Sequence, residues 1–334
     1  MENGNSSTGQ NILIVSDAWE PQVNGVVTTL TNTAKEIQKL GYNLDTLTHL
    51  DCNTKWQTPY PDVMFAIPDK KVVKSKISKA NAVHISTPEG PIGNKALKYC
   101  NKNNIPFSTG YHTKWPEFLN HMFGMPNKIT TKFLKHVHKK SKAILVPTLS
   151  AKNELVEQGF KNVVVQTRGV NRDQFTFNPD PKDYIVCVSR VSKEKGLDDF
   201  CQLPHPNKVL VGDGPYLLEL TKKYPEVEFT GVMKGNQLAD YYRNARCFVF
   251  PSKADTFGVV MIEAMACGTP VAAYPVTGPI DVVEQNVTGY VDNNLEIAVT
   301  NASKLDRLSV FEKSKSWSWK LSAEQFVDSL SFST

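Results

Sequence analysis

Two carboxylates eight residues apart, Asp255 and Glu263, stand in the stretch PSKADTFGVVMIEAMACGTPVAAYP (251–275), whose pattern is that of a strand end, a turn, a helix and a second strand. From Phe257 to Cys267, Glu263 is the one residue that is neither apolar nor Gly. A helix apolar on all sides packs between other elements, and a carboxylate within it is costly unless donors satisfy it. The ribose hydroxyls of a nucleotide are suitable donors, as are a backbone amide or a lysine of the next element. If the helix opens from about Phe257, the N–H groups of Gly258, Val259 and Val260 are set to face an anion such as phosphate. Asp255 falls where a buried strand runs out into a loop.

Three further positions carry chemistry. Arg190 and Lys195 lie in SRVSKEKG, at the end of a Val/Ile-rich run. A guanidinium forks onto two oxygens and an ammonium adds a compact charge, so the pair either clamps a diphosphate or is two solvated cations. Arginine is scarce, 6 of the 38 basic residues, which favours the clamp. His112 ends PFSTGYH and is either a hydrogen-bonded core imidazole or a group beside a substrate. Gly25, after Asn24, either lets the backbone approach a phosphate or plainly caps a helix.

Such residues act only if strands and helices hold them at one edge. Short Val/Ile-rich runs alternate with helical patterns almost throughout, which argues α/β with parallel sheets. The expected strands are 11–17, 45–49, 82–87, 106–112, 143–148 and 163–169, then 184–190, 208–214, 227–232, 247–252, 270–275 and 288–293. FTFNPDPKDY (175–184) gathers Pro, Asn and Asp and marks a break. The expectation is two Rossmann-like doubly wound domains facing across a cleft, with ligands at the carboxyl ends of the strands. Residues 1–10 read as a flexible tail, 11–175 as one domain, 176–315 as a second and 316–334 as a closing helix.

The bulk figures fit an ordinary globular chain: 334 residues, 40% hydrophobic, 21% charged, net charge +5. No run approaches the roughly 18 apolar residues that span a bilayer, and MENGNSSTGQ has no signal-peptide pattern, so the expected location is cytoplasmic. Six cysteines without a C-x-x-C pair read as reduced core residues. No D-x-D triplet occurs, so neither metal nor other cofactor is expected, and nothing calls for a nucleic-acid partner.

PSKADTFGVVMIEAMACGTPVAAYPVTGP resembles the E-x7-E signature of retaining glycosyltransferase family 4, whose fold is GT-B. VNGV, YHTKWPEF, VPTLSAKNEL, RGVNRDQF, SRVSKEKG, VGDGP and the closing SWSWKLSAEQFVDSL extend the likeness over nearly the whole chain, the last being similar to a helix that crosses back to the first domain. The resemblance implies transfer of a sugar from a nucleotide-diphosphate donor with retention. It implies that Gly25 and the turn Gly212-Asp213-Gly214-Pro215 line the donor site, that Arg190 and Lys195 hold its diphosphate, that Phe257, Gly258 and Val259 adjoin it and that Glu263 holds its ribose. It sets His112 beside the transferred sugar. Asp255 stands where the family often has Glu, one methylene longer.

The acceptor is sought in charge. In KITTKFLKHVHKKSK (128–142), Lys128, Lys132, Lys135, Lys139 and Lys142 follow one helical stripe, with Ile129, Phe133 and Val137 expected on the other side. A second cluster, KKVVKSKISK (70–79), carries five lysines without an acid. These are either solvated faces or a dock for an anionic membrane surface, and the run from DTFG to PIDVV is similar to bacterial diacylglycerol glycosyltransferases and, more distantly, to plant sulfoquinovosyl diacylglycerol synthase. The expected partner is therefore a lipid acceptor, the donor a UDP-sugar, and the place the inner face of the cell membrane. A GDP-mannose enzyme with a soluble or saccharide acceptor, a nucleotide-sugar epimerase and a non-catalytic nucleotide-sugar binder are the alternatives.

Overall fold

The computed structural model describes residues 9–22, 24–57, 64–116, 124–253 and 255–332. Residues 1–8 of the expected tail, Val23 of VNGV, and Glu117 and Phe118 of YHTKWPEF lie outside them. The chain divides into two compact units, 1–168 with 319–334, and 169–318. The division falls before the Pro/Asn/Asp cluster expected to mark it, because Val170 and Phe175 are already buried in the second unit's core. The closing helix, Trp319–Asp328, belongs to the first unit, where Ala323 and Phe326 pack with Ile12, Ile14, Leu30 and Ile37.

The first unit's strands are β1 (Asn11–Val15), β2 (Asn43–Leu47), β3 (Thr54–Gln57), β4 (Met64–Ile67), β5 (Ala82–Ile85), β6 (Ser108–Gly110), β7 (Ile144–Val146) and β8 (Val163–Val165). Those of the second are β9 (Ile185–Val188), β10 (Lys208–Val211), β11 (Glu228–Gly231), β12 (Cys247–Phe250), β13 (Val271–Ala273) and β14 (Gly289–Val291). Two six-stranded sheets result, ordered β2-β1-β5-β6-β7-β8 and β11-β10-β9-β12-β13-β14, and every pairing within them is parallel. Ile12 to Val15 and Ile185 to Cys187 are almost fully buried, which is why these strands read as continuous apolar runs and not as alternating ones. The antiparallel pair β3–β4 was not expected.

Order in the sheet decides where a ligand fits. In the second unit the chain moves outward from β9 to β10 and β11 and then returns to β12 on the other side of β9, so a crevice opens at the carboxyl ends of β9 and β12. In the first unit the same reversal falls between β1 and β5. Both crevices lie at loops carrying polar residues. Among the described residues no helix is long and apolar enough to cross a membrane, and all six cysteines are free and buried.

Candidate active site

In the second unit the loop after β9 carries Arg190 and Lys195, and the loop after β12 carries Asp255, Phe257 and Gly258. These are the two loops that flank the crevice. Each cation is partnered within it. Arg190 Nη2 donates to Glu194 Oε1 at 2.9 Å, and Ser192 Oγ donates to the same oxygen at 2.6 Å. Lys195 Nζ lies 2.7 and 2.9 Å from the two oxygens of Asp255. Burial works to raise the Asp255 pKa, but the Lys195 charge and hydrogen bond outweigh it and hold the carboxylate below its usual range. Asp255 thereby holds the Lys195 ammonium from the neighbouring loop. Glu194 was not singled out in the sequence, though its place in SRVSKEKG, four residues after Arg190, is a signal that was available.

The helix after this loop runs Val259–Ala266, two residues later than expected. Its cap is Gly258 at φ 83°, a left-handed conformation where a Cβ would lie 2.9 Å from both Phe250 Cζ and Met261 Cε. Val259 and Val260, half-buried, supply the first N–H groups, while Met261 N–H is already bonded to Gly258 O. The Phe257 side chain is buried edge-on against Trp317 at 5.4 Å between ring centres. Glu263 is half-buried among Met261, Ile262, Ala264 and Met265, which are fully buried. Tyr242, also fully buried, donates to Glu263 Oε2 at 3.0 Å. Burial pushes the Glu263 carboxyl up to about 7, with the tyrosine hydroxyl opposing.

The Gly212–Pro215 turn supports these loops from beneath. A Cβ on Gly212 would lie 1.9 Å from Ser189 O, and Val191 N–H donates to Asp213 O at 2.9 Å, so Gly212 and Gly214 are required by the loop that carries Arg190.

The first unit holds its own polar group. His112, after β6, is partly exposed; its Nε2 is 2.8 Å from Ser86 Oγ and its Nδ1 3.4 Å from Arg168 Nη2. A guanidinium has only donors, so Nδ1 accepts, Nε2 carries the hydrogen, and that N–H donates to Ser86. The close packing of the ring, and after it the charge of Arg168, drive its pKa well below the ordinary histidine range, so it is a neutral imidazole of fixed tautomer. Arg168 itself is buried and donates to Gln166 O at 2.6 Å and Thr167 O at 3.2 Å, and burial lowers its pKa to about 9. Gly25 begins the helix Gly25–Lys39, capped by the Asn24 side chain, and a Cβ there would meet open space.

The lysines lie on and just beyond the helix Asn127–His138, and Lys128, Lys132, Lys135, Lys139 and Lys142 are all exposed. Its inner face is Thr130, Leu134, Val137 and His138. Of the three residues expected opposite the lysines, Val137 is buried, whereas Ile129 and Phe133 are 61% and 46% exposed. The phase differs because polar residues turn inward, His138 Nδ1 lying 2.8 Å from Thr109 Oγ1. In the helix Lys70–Ile77, Lys76 is tied to Asp45 and Asp51.

Residues 23–174 match the model of Glycosyltransferase Family 4, and residues 170–298 that of Glycosyl transferases group 1. A GDP-mannose-dependent alpha-mannosyltransferase of Mycobacterium tuberculosis is 26% identical over 84% of this chain and 83% of its own. The sulfoquinovosyl transferase SQD2 of Arabidopsis thaliana is 28% identical over 68% of this chain and half of its own length. An alpha-monoglucosyldiacylglycerol synthase of Streptococcus pneumoniae is 24% identical over 78% of this chain and 70% of its own. Among solved structures, sucrose-phosphate synthase of Thermosynechococcus elongatus superposes with a TM-score of 0.76 at 19% identity, covering 96% of this chain and 98% of its own. Anabaena HepE in complex with UDP and glucose gives 0.73 at 15% identity, with the same coverages.

Proposed function

Given that the chain belongs to glycosyltransferase family 4 and is a GT-B enzyme that transfers a sugar from a nucleotide sugar, we propose that its donor is a UDP-linked hexose or hexuronic acid and its acceptor a lipid, diacylglycerol first. The single observation that carries the lipid reading is the segment 127–142, where Ile129 and Phe133 stand exposed among the exposed Lys128, Lys132, Lys135, Lys139 and Lys142. Basic residues with apolar side chains between them suit an anionic bilayer surface, into which Phe133 inserts while the ammonium groups meet head groups. The diacylglycerol synthase and SQD2 relatives support the lipid, and the UDP complex of HepE supports the base.

In this reading Arg190 and Lys195, held by Glu194 and Asp255, take the diphosphate, the N–H groups of Val259 and Val260 add to its stabilisation, and the Glu263 carboxylate accepts from ribose hydroxyls. Charge that develops on the departing diphosphate then meets prearranged donors without a metal. His112, neutral and oriented by Arg168 and Ser86, lies beside the transferred sugar. Gly25 leaves room for the donor at a helix start. The enzyme works from the inner face of the cell membrane.

The mannosyltransferase relative favours a second reading, GDP-mannose with a saccharide acceptor. Calorimetry with UDP-glucose, UDP-galactose, UDP-glucuronic acid and GDP-mannose, followed by thin-layer analysis of lipid products with and without EDTA, separates the two. Transfer to diacylglycerol, undiminished by EDTA, is the expected result, and an epimerised donor without acceptor would point instead to an epimerase. Lys132, Lys135 and Lys139 changed together to Glu remove about 1 kcal/mol each of attraction, so binding to anionic vesicles falls at least about 100-fold while nucleotide affinity holds. Unchanged vesicle binding would make the stripe a solvated face.

A further inference from the structure

The crevice between β1 and β5 of the first unit has polar groups that the reading above leaves unused. Asp17, after β1, is buried, and its carboxylate accepts from the Ile92 and Gly93 N–H groups at 2.9 and 3.1 Å and from Thr87 Oγ1 at 3.0 Å. All three donors belong to the loop after β5 and to the start of the helix Pro91–Asn103. Asp17 therefore pins the segment Thr87–Pro91, and on that pinned segment stands Glu89. The carboxyl of Glu89 is half-buried, and Trp115 Nε1 donates to its Oε1 at 2.6 Å. Trp115, itself half-buried, comes from the loop after β6, so one bond ties two of the loops at the carboxyl edge of the sheet. Among the described residues no cation is paired with Glu89 and no other side chain is hydrogen-bonded to it.

A carboxyl held out of bulk water without a cation is costly, and burial pushes this one up to about 7. The indole alone does not account for it, since an indole N–H is satisfied as well by a backbone carbonyl or a neutral amide. A carboxylate oxygen at the edge of an aromatic ring matches a hydroxylated carbon chain: hydroxyls donate to the oxygen and C–H groups lie on the ring.

We propose that Glu89 and Trp115, on the loop pinned by Asp17, form the subsite that grips the hydroxyl-bearing end of the acceptor, a glycerol or sugar polyol. This deepens the glycosyl-transfer reading and rests on it. It is independent of whether that polyol carries acyl chains.

The test is steady-state kinetics of Glu89→Gln and Trp115→Phe, varying the acceptor at saturating donor and then the donor at saturating acceptor, with dioleoylglycerol in anionic vesicles and methyl α-mannoside as acceptors. Each variant is expected to raise the acceptor KM about tenfold, with donor KM and melting temperature nearly unchanged. Acceptor KM at the wild-type value, or a donor KM that rises in parallel, overturns the subsite. If the wild type uses the mannoside but not dioleoylglycerol, the lipid reading fails and the same comparison on the mannoside decides the subsite. A second readout needs no turnover: the indole N–H resonance of Trp115, assigned by its loss in Trp115→Phe, shifts on addition of glycerol or methyl α-mannoside. A resonance that moves with neither overturns the proposal.

Discussion

Glu263 holds a carboxyl at about 7, raised by burial from 4.5, and that value fixes how the residue answers to pH. Between those two values the native chain keeps a proton that the unfolded chain has released. The stability from this group is therefore fully present below about 4.5 and is lost as pH climbs through 7. Glu263→Gln leaves an oxygen for Tyr242 and removes the charge. At pH 8 the variant is expected to gain about 1–2 kcal/mol of stability, discounted for partial exposure, and to bind the nucleotide about tenfold more weakly. Melting curves at pH 6 and 8 beside calorimetric titration check both. A variant less stable at pH 8 with undiminished affinity means that the carboxylate is structural.

Elements aim these residues, and the helix Val259–Ala266 owes its aim to Gly258. At φ 83°, with Phe250 and Met261 where a Cβ would go, Gly258→Ala is strained in backbone and in packing at once. It should cost about 1–3 kcal/mol in urea denaturation and weaken diphosphate binding by displacing the first N–H groups. Gly25→Ala is the matched control, since its Cβ meets open space, and its stability should stay within about 0.5 kcal/mol. Equal losses at both positions would mean that the Gly258 turn relaxes without strain. The sequence places a glycine at each helix start and does not tell them apart, because φ and the neighbouring side chains come from other strands.

Across the whole chain, ionisable groups are divided unevenly between the two units. His49, His84, His112 and His138 all lie in the first unit, and burial lowers the pKa of each, His84 to about 3 and His138 to about 4. His84, His112 and His138 stay neutral in the fold while the unfolded chain takes up a proton below 6.5, so their contribution to stability is lost as pH falls below that value. Glu89 and Asp17, whose pKa values are raised by burial, act in the opposite sense but are fewer. In the second unit Glu263, raised by burial to about 7, adds stability on acidification. Lowering the pH from 7 to 5 should therefore destabilise the first unit by on the order of 2–3 kcal/mol and spare the second. Hydrogen exchange shows it as faster opening of β1, β5 and β7 amides with β9 and β12 amides little changed. Equal acceleration in both sheets would refute this division.

The sequence by itself determined the elements and their class. Most strands buried on both faces are near-continuous apolar runs, and the twelve strands of the two parallel sheets were legible near their observed places, while the D-x7-E stretch with its accompanying motifs carried the resemblance to glycosyltransferase family 4. The order of strands in each sheet was not legible, and order alone sets β9 beside β12 and β1 beside β5, and with them the crevices. Partnership was decided there too. Lys195 meets Asp255 sixty residues away, Trp115 meets Glu89, and Arg168 sets the tautomer of His112, because separate strands end at the same edge. The lysine helix shows the limit most plainly: periodicity located the charges, but which apolar residues turn inward depended on a threonine of β6 that accommodates His138, leaving Ile129 and Phe133 exposed.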